Sequence, residues 1–166
     1  MIEALLEAYR LKAVDRAGWL RVGVAHPESV AAHSWGIALL VLALLPEQLD
    51  RGRALTNAAL HDLPEAITGD LIPSDGVSRQ NKHLRELAAM DRMALPSAIR
   101  SAWDAYEAQA DPEARFVKQL DRLDMAIQAW VYQHHGTHEF VRSAAAFVTH
   151  PVLTPLIKTI QAKMGD

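Results

Sequence analysis

Apolar residues recur at helical spacing through most of the sequence, and this pattern is the feature that most restricts the fold. Leu and Ala predominate, runs of β-branched residues are scarce, and Pro and Gly stand where the apolar stripes begin or end. Strict alternation of apolar and polar residues, which is typical of a half-buried strand, does not compete with the helical pattern. The sequence therefore predicts an all-α fold.

Start and stop signals divide the chain into helices. Ser29 has the character of an N-cap and Pro46 ends the helix that follows it, whereas Asp111-Pro112-Glu113 combines an N-cap, a proline at N1 and an acid in the first turn. The segment 15–28 is predicted to be a loop interrupted by Gly and Pro. The predicted helices cover residues 2–14, 29–45, 51–62, 65–68, 78–95, 97–108 and 111 to about His134, and two closing helices start near Thr137 and Thr154.

The length and charge of the chain restrict its class. With 166 residues, of which 50% are hydrophobic, the chain can bury one sizeable core, and we expect a single domain over residues 1–166. Seventeen Lys and Arg against twenty Asp and Glu give a net charge of −3, which disfavours nucleic acid and anionic membranes as partners.

Targeting and membrane signals point in the same direction. Residues 1–7 carry acids where a secretory signal peptide has basic residues. The longest apolar run, residues 35–45, is shorter than the roughly 18 to 20 residues that span a bilayer. We therefore expect a cytoplasmic protein with no membrane partner.

Because the sequence contains no Cys, any bound metal ion must be held by His and carboxylate side chains. His33 lies on the apolar stripe of the helix predicted over 29–45, and His61 and Asp62 share one face of the next helix. Asp121 lies at the edge of the stripe of the long helix. Each of these residues alone is more often a hydrogen-bonded core residue or part of an ion pair. Together they favour a metal site, because one divalent cation would neutralise both carboxylates and bind both imidazoles.

Four segments, in this order along the chain, resemble motifs of the HD-domain 5'-deoxynucleotidases. They are RAGW at 16–19, PESVAAHS at 27–34, HDLPEAITGDL at 61–71 and VKQLD at 117–121. The resemblance extends from about Leu11 to Gln128, and four motifs in the right order make it far more specific than an isolated His-Asp pair. One departure is Ala32, which stands where family members commonly carry an acid; we interpret it as a lost outer contact of the metal site.

The resemblance implies an all-α HD fold with one divalent metal ion held by His33, His61, Asp62 and Asp121. It also implies hydrolysis of deoxyribonucleoside 5'-monophosphates to deoxynucleoside and phosphate, a small nucleotide as the binding partner, and a homodimer. The metal is expected to be Mn, Co, Mg, Fe, Ni or Zn. Such an ion lowers the pKa of bound water and polarises a phosphoryl oxygen.

Two further acids are expected to take part in catalysis. The resemblance implies that Glu65 lies beside the metal-bound water, which it would orient or deprotonate, and that Asp70 lines the same pocket. Some family members hold a second metal ion at positions that match Glu65, Asp70 and the backbone of Leu71. The spacing places Asp62 and Glu65 on one side if the helical turn persists across Pro64. In the alternative, Glu65 is a first-turn acid that interacts only with the helix dipole.

Four residues are expected to contact the substrate. Arg16 offers bidentate contacts to phosphate, and Trp19 offers a surface for stacking or packing. Trp19 is equally consistent with a core residue, and Arg16 with a surface ion pair. Ser74 and Asp75, in the loop after Asp70, are expected near the sugar.

Other functions remain open from the sequence. Triphosphohydrolases of the same fold cleave deoxynucleoside triphosphates with the same four ligands, and a non-catalytic nucleotide- or metal-binding protein would keep the fold without turnover. HD proteins with His-rich binuclear sites are disfavoured, because His83 is the only His between Asp62 and Asp121.

Overall fold

The computed structural model describes residues 1–133 and 135–165 and, at Pro73 and His135, the backbone alone. The predicted end of the long helix, His134, lies outside the described residues. The described helices are α1 (Ile2–Tyr9), α2 (Ala17–Arg21), α3 (Val30–Leu44), α4 (Arg51–Leu60), α5 (Glu65–Thr68), α6 (Arg79–Met93), α7 (Ser97–Glu107), α8 (Pro112–Tyr132), α9 (His138–Phe147) and α10 (Thr154–Met164). Short 3-10 turns cover Arg10–Ala13, Pro73–Asp75 and His135–Thr137.

The described part of the chain contains no strand beyond one isolated bridge between Asp15 and Ser29, so the all-α prediction is confirmed. The capping signals also behave as expected. The hydroxyl of Ser29 accepts a hydrogen bond from the Ala32 N–H at 3.2 Å, and the carboxylate of Asp111 accepts one from the Ala114 N–H at 2.7 Å. None of the helices in the described ranges is both long enough and apolar enough to cross a bilayer.

The structure differs from the prediction in two segments, where the prediction was wrong. The first helix ends at Tyr9 and continues as a 3-10 turn, and the segment 15–28, predicted to be a loop, contains the five-residue helix α2. Gly18 lowers the intrinsic helix propensity of α2, and Arg16 before it provides no side-chain cap. Burial of Trp19 therefore stabilises a helix that local propensity does not predict.

The connection between α4 and α5 remains helical in character. Across Pro64, the Leu63 N–H donates to the Leu60 carbonyl and the Glu65 N–H donates to the Asp62 carbonyl, both at 3.0 Å. Proline is tolerated here because it stands at the start of α5, where its missing N–H removes no intrahelical bond. The turn therefore persists, and it keeps the residues around Asp62 and Glu65 in a fixed register.

Helices α3, α4 and α8 pack against one another and carry the main core, while α9 and α10 cover α8. Ile37 of α3, Ala58 of α4 and Leu120 of α8 are fully buried. Burial of a Leu or Ile side chain contributes about 1.5–3 kcal/mol. The three helices that the core holds together are the ones on which the metal ligands were predicted.

Candidate metal centre

The structure brings together the four residues that were predicted to bind a metal ion. The side chains come from three places: His33 from α3, His61 and Asp62 from the turn that directly follows α4, and Asp121 from α8. The Nε2 atom of His33 lies 3.2 Å from Asp121 Oδ1 and 3.9 Å from Asp62 Oδ2, and the Nε2 atom of His61 lies 3.0 Å from Asp62 Oδ2. Donor atoms of His33, His61 and Asp121 all lie within 4.8 Å of one another.

Both histidines present an unpartnered ring nitrogen to this cluster. The Nε2 atoms of His33 and His61 are buried and have no hydrogen-bond partner among the residues that the structure describes. The other nitrogen of each ring is engaged: Nδ1 of His61 donates to the Ala58 carbonyl at 3.0 Å, and Nδ1 of His33 lies 2.7 Å from Asp124 Oδ2. Once the ring is neutral, such contacts favour the tautomer in which Nε2 carries the lone pair, as in metal-binding histidines. The donor set therefore fits a divalent cation.

Asp124 approaches His33 because α3 has a glycine at the point of contact. A Cβ atom on Gly36 would overlap Asp124 Oδ1 and would lie 3.1 Å from its Cγ. The sequence pattern alone does not distinguish this contact from a surface ion pair of Asp124, and it does not single out Gly36. A glycine inside a helix destabilises it by about 1 kcal/mol relative to alanine. Its presence within the 15-residue helix α3 is therefore a sequence signal that another group approaches the backbone closely.

Neighbouring charges set the protonation of the cluster in the absence of metal. Burial alone would raise the pKa of Asp62, but His61 and Arg16 hold that pKa well below its usual range. Burial and the Arg16 charge lower the pKa of His33, whereas its contact with Asp121 raises it, to about 9 overall. A metal ion therefore meets an ionised carboxylate at Asp62 and must displace a proton from His33.

Arg16 faces the cluster, as predicted for a phosphate-binding residue. Its Nη1 atom lies 3.6 Å from Asp62 Oδ2, and its side chain is largely buried. Burial would lower the pKa of the guanidinium, but Asp62 and Asp70 raise it above its ordinary value. Asp70 also fixes the start of α2, because its Oδ2 accepts a hydrogen bond from the Ala17 N–H at 2.8 Å.

Glu65 is almost completely buried, at 1% exposure. It contacts Lys82, a residue whose position relative to Glu65 the sequence pattern does not predict. The Nζ atom of Lys82 lies 3.1 Å from Glu65 Oε1, and Oε2 has no hydrogen-bond partner in the described ranges. Burial and the charges of Asp62 and Asp70 raise the pKa of Glu65 to about 9. Glu65 is therefore not a simple first-turn acid in solvent.

The structure describes the surroundings of the other three predicted substrate contacts, Trp19, Ser74 and Asp75. Trp19 is 1% exposed, packs against Tyr132 and Phe140, and donates from Nε1 to Glu28 Oε1 at 2.9 Å, so it contributes packing rather than an open stacking surface. Ser74 and Asp75 are exposed in the 3-10 turn after α5, where Asp75 accepts a hydrogen bond from the Ile72 N–H. Arg16 thus contacts a carboxylate of the cluster, and contact with a substrate stays a prediction for all four residues.

Comparison with known proteins identifies relatives of this chain. The HD domain family model matches residues 8–161. The Bos taurus protein 5'-deoxynucleotidase HDDC2 is 35% identical over 93% of this chain and 80% of its own length.

Solved structures share the fold over nearly the whole chain. A conserved hypothetical protein from Pyrococcus furiosus superposes with a TM-score of 0.83 at 33% identity, covering 98% of this chain and 99% of that one. The cyanophage S-2L HD phosphohydrolase DatZ, whose structure is bound to dA and one catalytic Zn²⁺ ion, superposes with a TM-score of 0.66 at 22% identity. That alignment covers 96% of this chain and 95% of DatZ. At this identity, the likeness to DatZ concerns the fold.

Proposed function

This chain belongs to the HD domain family, and we propose that it is a metal-dependent 5'-deoxynucleotidase, which converts deoxyribonucleoside 5'-monophosphates to deoxynucleoside and phosphate. The observation that carries this proposal is the pair of buried, unpartnered Nε2 atoms of His33 and His61 beside the carboxylates of Asp62 and Asp121. Buried polar atoms without partners are costly, and a bound cation removes that cost. The 35% identity to a curated 5'-deoxynucleotidase supports the substrate class.

The metal ion would be held by His33, His61, Asp62 and Asp121. Two imidazole nitrogens and two carboxylate oxygens are compatible with Mn, Co, Mg, Fe, Ni or Zn, and imidazole favours the transition metals among them. When bound, such an ion supplies Lewis acidity toward a phosphoryl oxygen and toward water.

Residues of the chain itself bind the phosphate and move protons. The guanidinium of Arg16, beside Asp62, is suited to hold phosphate oxygens in two parallel hydrogen bonds. Glu65 offers Oε2 for proton exchange, because Oε1 faces the Lys82 ammonium. Its raised pKa, about 9, moves its titration out of the acidic range in which an exposed carboxyl loses its proton. Asp70 is expected to help orient Arg16, whose pKa its charge raises.

A homodimer is part of the proposal, and an exposed apolar stripe on α3 supports it. Trp35, Leu39 and Leu42 lie one turn apart and are 68%, 50% and 55% exposed. The opposite face of the same helix is buried and, apart from His33 and Ser34, is also apolar. Contiguous exposed apolar residues on a folded domain are typical of an interface. The sequence did not reveal this stripe, because an unbroken apolar run hides its periodicity.

The test is phosphate release from a panel of deoxynucleoside monophosphates, ribonucleoside monophosphates and deoxynucleoside triphosphates. Metal-stripped protein is resupplied with Mn, Co or Mg and compared with Asp121→Ala and with Asp104→Ala, a surface carboxylate on α7. We expect metal-dependent phosphate from deoxynucleoside monophosphates, loss in Asp121→Ala and no change in Asp104→Ala. Tripolyphosphate from deoxynucleoside triphosphates, or no product at all, would refute the proposal.

A further inference from the structure

The ammonium group of Lys82 lies in a cage of oxygen atoms beside the metal centre. Its Nζ atom is 3.1 Å from Glu65 Oε1, 3.3 Å from the Leu71 carbonyl oxygen and 3.5 Å from Glu86 Oε1. Glu65 and Glu86 are both buried. Two carboxylates and a carbonyl oxygen are the ligands that a hard divalent cation prefers in proteins.

Two of these oxygen donors belong to the set that the resemblance implied for a second metal ion. A divalent ion bound to Glu65 and to the Leu71 carbonyl would lie about 2.0–2.6 Å from each oxygen. Lys82 already approaches both of these oxygens, and its positive charge would repel the incoming ion. The third implied donor, Asp70, directs Oδ2 to the Ala17 N–H. The residues present therefore do not fit a second ion while Lys82 keeps this position.

Lys82 is held in this position by the first turn of α6. The Ser78 hydroxyl caps the helix by accepting from the Asn81 N–H at 3.2 Å, and the Lys82 N–H donates to the Ser78 carbonyl at 2.8 Å. Glu86, four residues further along the same helix, brings Oε1 to within 3.5 Å of the same ammonium group. The lysine thus projects from a fixed helix start rather than from a mobile loop.

We infer that Lys82 is a built-in cation that takes the place of a second divalent ion and positions the Glu65 carboxylate, so that the centre binds one metal ion. The positioning role rests on the proposed function, in which Glu65 exchanges protons at Oε2. The first ion also rests on the proposed metal centre, whereas the exclusion of a second ion rests on the oxygen cage alone. Lys82 carries a single charge and has no Lewis acidity, so it orients Glu65 without activating water.

The experiment counts Mn²⁺ ions per chain by titration calorimetry and by elemental analysis after dialysis. All counts use a His83→Ala reference protein, because donor atoms of His83 and Glu107 lie within 4.8 Å of one another and of a Glu86 oxygen, and so form a second possible binding group that shares Glu86 with the oxygen cage. We expect one ion in the reference protein and two after Lys82→Ala. Lys82→Arg keeps the charge and is expected to bind one ion, and Lys82→Ser replaces the alanine variant if that variant does not fold.

Location is tested by adding Glu65→Gln to the Lys82→Ala protein, which is expected to lose the second ion. Exchange coupling between two Mn²⁺ ions in the electron paramagnetic resonance spectrum is a further expected signature of the Lys82→Ala protein. Two ions in the reference protein, one ion after Lys82→Ala, or a second ion that survives Glu65→Gln would each overturn the inference. Ion counting requires no turnover, so it distinguishes failure of this inference from failure of the proposed function.

Discussion

Replacing Gly36 with alanine tests whether α3 was shaped to admit the Asp124 carboxylate. The three atoms nearest to a Cβ at this position all belong to Asp124: Oδ1, which it would overlap, Cγ at 3.1 Å and Oδ2 at 3.5 Å. Asp124 must therefore move, and its contact with His33 Nδ1, 2.7 Å in the structure, is lost or lengthened. Loss of such an outer contact typically lowers metal affinity about 10–100-fold.

The effect of Gly36→Ala on stability has two opposing parts. Alanine favours a helix interior by about 1 kcal/mol, whereas overpacking costs about 1–3 kcal/mol. We therefore expect the variant to lose about 0–2 kcal/mol of unfolding free energy. In an Asp124→Ala background, the clash is gone and the helix gain of about 1 kcal/mol remains, so the sign of the effect reverses.

Metal titration and chemical denaturation of the four proteins of this cycle measure both effects. The Gly36→Ala change should weaken metal binding only while Asp124 is present. Wild-type metal affinity in the single variant, or an equal loss of stability in both backgrounds, would show that Gly36 does not serve the Asp124 contact.

Three further predictions concern the centre, a helix start and the exposed stripe. His61→Ala should abolish metal-dependent phosphate release while the circular dichroism spectrum stays helical; retained turnover would exclude His61 as a ligand. Burial raises the pKa of Asp111, but the Ala114 N–H and the Arg53 guanidinium lower it below its ordinary value. The ionised cap therefore stabilises the fold at neutral pH, and its contribution is lost as the pH falls through the lowered pKa. Asp111→Ala should cost about 1 kcal/mol of unfolding free energy at neutral pH and less in acid, and an equal cost at both pH values would contradict the ionised cap. Trp35→Glu should produce a monomer in analytical ultracentrifugation, and an unchanged sedimentation coefficient would place the interface elsewhere.

The sequence singles out the residues of the candidate metal cluster because each one is anomalous in a helical pattern. His33 interrupts an otherwise apolar stripe, and His61 and Asp62 place ionisable groups on a face that Ala58 leaves open. Burial of such groups requires compensation, and periodicity alone shows that they face inward. No local pattern predicts that α3, α4 and α8 pack together. The expectation that their residues meet in space came from the resemblance to the HD-domain family.

The contacts of Lys82 and the burial of Trp19 could not be predicted in the same way. Lys82 reaches Glu65 across 17 residues and a loop whose path no periodicity defines. Trp19 is buried because Tyr132 and Phe140, more than a hundred residues away, close over it. Such contacts depend on tertiary packing, which overrides the weak propensity of a five-residue helix.

The unbroken turn across Pro64 has a consequence for protein engineering. His61, Asp62 and Glu65 share one continuous backbone segment, in which the Leu63 and Glu65 amides are bonded three residues back. An insertion anywhere between His61 and Glu65 would rotate the proposed ligands His61 and Asp62 relative to Glu65, whereas a longer loop after Gly69 would leave them in register. A designer who wished to transfer the proposed centre to another helical scaffold would therefore move the segment 58–69 as one unit and supply the other two proposed ligands from neighbouring helices.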